Sequence, residues 1–164
     1  MVSVRLELRE YGWSTPEIAA AVAKPVIGLQ CWVRFVEPNG GLTKGYRAVV
    51  DTGAPMSVLP QRIWQSVSTR ILAPNVRLAG ISRRKECEVP ADLGEVSRRL
   101  SDAADNVSRV LRFPAYLAKT DRVPLIVGFA DLLSEFRANF DYHSHEGWLE
   151  DTSQGASDAK SRGD

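Results

Sequence analysis

An acidic residue set between two apolar runs is the first place in this chain where chemistry could reside. The segment AVVDTGAPMSVLP, residues 48–60, carries Ala48, Val49 and Val50 into Asp51-Thr52-Gly53 and leaves through Val58 and Leu59. A carboxylate wedged between two buried runs is costly unless it is hydrogen-bonded, paired or used. Asp51 can cap the turn that follows a strand, or it can take and return a proton as a general acid or base. Gly53 lets the backbone come close and offers an N–H to the carboxylate. A second candidate is the pair His143 and His145, two residues apart, which could share one face of a strand as metal ligands. No third ligand accompanies them, so neither a metal nor another cofactor is expected. Cys31 and Cys87 are far apart and form no CxxC pair, which reads as two reduced thiols.

Asp51 must be positioned by the elements around it. Ile27, Leu29, Cys31, Val33 and Phe35 recur at period two, the pattern of a half-buried strand. The turn sequence Glu37-Pro38-Asn39-Gly40-Gly41 follows, then a second strand that delivers Asp51 at its end. A second hairpin is predicted over residues 75–100, with its tip near residues 80–85. Val107, Arg109, Leu111, Phe113, Ala115 and Leu117 share one face of a further strand, and Val123 to Val127 is a short buried run ending at Gly128. Phe129, Leu132, Leu133 and Phe136 are spaced for one face of a short helix. Thr15 or Ser14 before Pro16 caps another short helix, and residues 60–67 suggest a single helical turn. Many short strands with little helix argue for an all-β barrel or sandwich.

At 164 residues the chain is about one domain, long enough to bury a core. A net charge of +1 with well-mixed signs points to no nucleic-acid or anionic-membrane surface. Arg5, Glu7, Arg9 and Glu10 stand where a signal peptide needs an apolar core, and no run is long enough to span a bilayer. A cytoplasmic protein is expected.

Asp51-Thr52-Gly53-Ala54 after an apolar strand, with Ser57 and then Val58-Leu59, resembles the active-site segment of the aspartic proteases. The resemblance is closest to the retropepsin-like group in its bacterial form. LIVGFADLL, residues 125–133, is similar to that family's late strand-glycine-helix segment, whose apolar residues pack beside the catalytic loop. The resemblance spans residues 25–142. It implies an all-β fold, a closed β-barrel of the retropepsin-like acid protease type with one short helix near the C-terminal end. Residues 1–24 would form an N-terminal segment and residues 143–164 a polar, disordered tail.

The resemblance also implies an activity, hydrolysis of peptide bonds in a peptide or protein substrate. Two carboxylates share one proton and activate a water held between them. Asp51 is then the catalytic residue, Thr52 and Gly53 support it, and Ala54, Gly80 and Ile81 contact substrate. Residues 78–89 would be a flap that closes over the cleft; the basic run Arg83, Arg84, Lys85 within it reads as a solvated turn. The chain holds a single Asp-Thr-Gly, so an active form must be a homodimer in which each subunit supplies one Asp51. Retroviral members carry an Asp and an Arg that brace the dimer where this chain has Pro55 and Phe129, so its bracing must come from elsewhere. The alternative is a dimeric binding or scaffolding module that keeps the fold without turnover.

Overall fold

Alternating apolar residues lay down the strands, and long-range pairing decides their neighbours. The computed structural model describes residues 2–12, 15–22, 26–78, 88–130 and 132–152. These are mostly strand. Strand β3 (Val26–Phe35) turns its alternate residues Cys31, Val33 and Phe35 into the core. It pairs antiparallel with β4 (Tyr46–Val50), which ends one residue before Asp51. The intervening loop is held by Gly40 N–H to the Glu37 carbonyl and by Gly41 N–H to Asn39 Oδ1, as its Pro-Asn-Gly-Gly chemistry predicts.

Beyond Asp51 come β5 (Ser57–Leu59), a one-turn helix α2 (Gln61–Trp64) and the hairpin of β6 (Thr69–Leu78) with β7 (Val89–Ser101). β6 begins earlier than its sequence suggests. Pro74 and an Asn75 with φ of +56° lie where its register with β7 slips, so the strand is interrupted rather than shortened. β8 (Leu111–Ala118) and β9 (Ile126–Val127) complete a sheet that also takes in β2 (Glu7–Tyr11), in the order β2-β3-β4-β9-β5-β8-β7-β6. β3 pairs with β7 as well, Phe35 opposite Arg98. Phe35, Leu59, Ile63, Leu100, Phe113, Leu117 and Leu132 fill the core. Helix α1 (Pro16–Ala21) starts as predicted, with Thr15 Oγ1 accepting from Ile18 N–H.

Two expectations are corrected. The short helix near the C-terminal end is only a 3-10 turn, Leu133–Glu135. Leu132, just before it, lies outside helical geometry, and so short a helix has no stability of its own. Burying Leu132, Leu133 and Phe136 takes one tight turn, with Phe129 left outside. Nor do residues 143–152 belong to a free tail. After the turn at 142–145, β11 (Glu146–Asp151) pairs with both β10 (Phe136–Asp141) and β1 (Ser3–Arg5), and Leu149 and Asp151 are buried. The N-terminal residues therefore belong to the same sheets, β1 in this three-stranded one and β2 in the larger. Among the described residues no helix is long and apolar enough to cross a membrane.

Asp102, after β7, fastens β1 to the body. Its buried carboxylate accepts from Arg5 N–H, Ala104 N–H, Asn106 N–H and the Asn106 side-chain amide, at 2.9 to 3.0 Å. Burial pushes this carboxyl's pKa up, but the hydrogen bonds favour its charged form and hold it below the usual value. A depressed folded-state pKa gives stability that is present above the unfolded value of about 3.9 and lost as pH falls through the folded one. Asp102→Ala is expected to cost about 2–3 kcal/mol at neutral pH. The difference from wild type should shrink as pH falls below that unfolded value. Urea unfolding at neutral pH and in that acid range checks it.

Candidate active site

The loop that carries Asp51 leaves one strand and enters another that is not its neighbour. β9 lies between them: Val49 and Val50 of β4 run parallel to Ile126 and Val127, while Val58 of β5 lies antiparallel to Ile126. β5 pairs in parallel with β8 on its other side. Flanked on both sides, the run Leu125 to Val127 is apolar throughout, and Val127 is fully buried. The loop of residues 51–56 crosses the end of this strand.

Both sides of the loop are tied to that crossing. Asp51 N–H donates to the Val127 carbonyl at 3.0 Å. The Ala54 and Pro55 carbonyls accept from Phe129 and Ala130 N–H, each at 2.9 Å. Within the loop, Gly53 N–H donates to Asp51 Oδ1 at 2.9 Å, and Ala54 N–H to the Asp51 carbonyl at 3.2 Å. Asp51 is half-buried; Thr52, Gly53 and Pro55 are exposed and Ala54 is half-buried. Among the described residues only Gly53 N–H engages the carboxylate, at Oδ1, and none engages Oδ2. Such a group can accept a proton from water or donate one.

Gly128 is the closest point of this seam. A Cβ there would lie 2.5 Å from the Met56 carbonyl oxygen and 2.7 Å from Ser57 N, and closer still to the Met56 carbonyl carbon. Only glycine fits so near another backbone. Its N–H donates to Ser57 Oγ at 3.0 Å. Ser57 Oγ also accepts from Arg98 Nη2 at 3.0 Å, and Arg98 is 0% exposed. Burial pulls the Arg98 guanidinium down to about 9, with the Cys31 thiol opposing. Cys31 itself is pushed up to about 12 by burial, so it is a neutral thiol at ordinary pH.

Of the site residues read from sequence, the structure therefore joins Asp51, Thr52, Gly53 and Ala54 in one loop and sets Gly128 and Ser57 beneath it. Gly80 and Ile81 lie outside the described residues, although the hairpin leading to them is paired as far as Leu78 with Val89. Pro55 and Phe129 flank the seam without a hydrogen bond to each other, and both are exposed, Phe129 at 53%. His143 and His145 sit in the turn between β10 and β11, with His145 Nε2 3.5 Å from Glu10. Among the described residues, no group of three or more His, Cys, Asp or Glu comes together as metal ligands.

Arg98 is the residue that sequence reasoning missed. Gly94, Val96, Arg98 and Leu100 alternate on one buried face of β7, so its place in that register was the available signal. A cleft of about 710 Å³ lies elsewhere, lined by Val2, Arg5, Asp102, Asn106, Glu146 and Trp148 and by no residue of the Asp51 loop. No family model, no curated protein and no solved structure matches this chain.

Proposed function

We propose that the chain is one half of an aspartic endopeptidase of the retropepsin-like type. The observation that carries this reading is the Asp51 loop. A carboxylate stands on an Asp-Thr-Gly turn across the end of an intervening strand, with one oxygen held by Gly53 N–H and the other unengaged among the described residues. The pairing of β3 with β7 returns the sheet on itself and supports a closed barrel of that type.

A lone carboxylate on an exposed loop is an incomplete site for splitting an amide. Thr52, Gly53, Pro55 and Phe129 are exposed around it, so one chain supplies an open face where a second copy can bring its own Asp51. Two carboxylates held together cannot both ionise readily, so they keep one proton between them. The charged one takes a proton from water as that water attacks the peptide carbonyl. The protonated one donates to the carbonyl oxygen, giving a tetrahedral diol that collapses with proton return to the amine. Its expected setting is the cytoplasm, where a thiol such as Cys31 stays reduced.

The test is the initial rate on casein, an unstructured polypeptide, from about pH 3 to 9, a span covering the reference carboxyl and imidazole pKa values. A bell-shaped profile in the acidic to near-neutral range is expected, with specific activity falling as the protein is diluted through its dimer dissociation. A rate climbing steadily to alkaline pH, or constant specific activity from a sedimenting monomer, defeats the proposal. No rate at any pH from a proven dimer favours a binding or scaffolding module.

A further inference from the structure

A cation sealed in an apolar core, with no counter-ion among the described residues, calls for an explanation. Arg98 sits between Val96 and Leu100 on the inward face of β7, all three essentially without exposure. Its guanidinium lies 3.9 Å over the Phe113 ring centroid. Nη2 donates to Ser57 Oγ, whereas Nε and Nη1 are buried with no hydrogen-bond partner among the described residues. Removing such a charge from water is expensive, and an apolar side chain of the same length would fill the space more favourably. Stability alone does not account for an arginine here.

Its one hydrogen bond among the described residues is informative. Ser57 begins β5, at the exit of the Asp51 loop, and Gly128 follows β9, whose Val127 carbonyl holds Asp51 N–H at the loop's entry. Ser57 Oγ receives Arg98 from one side and Gly128 N–H from another, both at 3.0 Å. With two donors on its lone pairs, the hydroxyl is held in one rotamer, a stronger constraint because one donor is charged. Met56 and Gly128 have no slack between them, so a shift of Ser57 moves both ends of the loop together.

We infer that Arg98 is a positioning residue: through Ser57 it clamps the seam of Gly128 and Met56 and so sets where Asp51 stands. The inference rests on the proposed hydrolysis only for its effect on rate. The clamp is a property of the fold.

Arg98→Met keeps length and apolar contact while removing charge and donors. Its urea midpoint should equal or exceed wild type, because the buried charge is gone. Amide exchange across residues 51–57 and at Gly128 should quicken about tenfold or more, while β3 and β8 keep their protection. On casein, kcat should fall about tenfold with KM little changed, and Arg98→Lys, which retains a donor, should recover part of it. Ser57→Ala should reproduce the local exchange change, and the double variant should add nothing, since both break one contact. A lowered midpoint with uniformly faster exchange makes Arg98 an ordinary core residue and overturns the inference. So does unchanged exchange in the loop. If wild type shows no turnover, the exchange pattern still decides the clamp, and only the hydrolytic reading falls. If Arg98→Met does not fold, Ser57→Ala decides by the same exchange measurement.

Discussion

Asp51→Asn is expected to lower peptide hydrolysis on the order of 10³-fold or more while leaving the fold unchanged. The carboxamide can neither take a proton from water nor return it, so the step that makes the nucleophile is lost. Folding should survive because the amide oxygen can still accept from Gly53 N–H, and Asp51 N–H to Val127 is a backbone bond. The residue is half-buried, so the isosteric change leaves no cavity. Circular dichroism and thermal melting should match wild type. Adding excess Asp51→Asn subunits to wild type should suppress activity further, since mixed dimers hold one carboxylate. Undiminished cleavage by the variant removes Asp51 from the chemistry.

Gly128→Ala has the next largest effect, and on two readouts at once. The new methyl would meet the Met56 carbonyl and Ser57 N, backbone atoms that no rotamer change can move. The β9 seam must open, at about 3 kcal/mol or more. Since the displaced bonds include Gly128 N–H to Ser57 Oγ and Phe129 N–H to the Ala54 carbonyl, the Asp51 loop moves and turnover goes with it. Gly94→Ala is the control. Its Cβ would press chiefly on the Leu117 side chain, which can rotate away, so about 1 kcal/mol is expected. Urea midpoints of the two variants should differ accordingly; equal midpoints make the tight approach at Gly128 unimportant.

What could be read from the residues depended on how local its cause was. The β3 and β4 hairpin was legible because alternation and the Pro38-Asn39-Gly40-Gly41 turn act over a few residues. Helix α1 was legible through Thr15 and Pro16 for the same reason. Val123 to Val127 reads as a buried run, but nothing in it names β4 and β5 as neighbours, since those partners lie some 70 residues away in the chain and are chosen by the whole sheet. β11 and its pairing with β10 were missed because β11 is largely polar; Leu149 and Asp151 are buried, and Leu149 lies opposite Val4 of β1, far away in the chain. Arg98 was missed because a charged side chain is normally assigned to solvent, and only its register in β7 places it inside. The aspartate motif was legible in composition, whereas its seat across β9 was a tertiary fact.

Pairing of Ser3 with Glu150 and of Arg5 with Trp148 sets the order in which this molecule can be made. On a ribosome moving at about 5 to 20 residues per second, β1 emerges roughly 7 to 30 s before its partner. Throughout that interval Val4 and Leu6, both buried in the finished fold, have no strand to cover them. The nascent chain thus carries an open, apolar edge until β11 has been made. Closure of the three-stranded sheet is a late step, and a polypeptide cut short before residue 146 would leave β1 exposed to holdases and proteases.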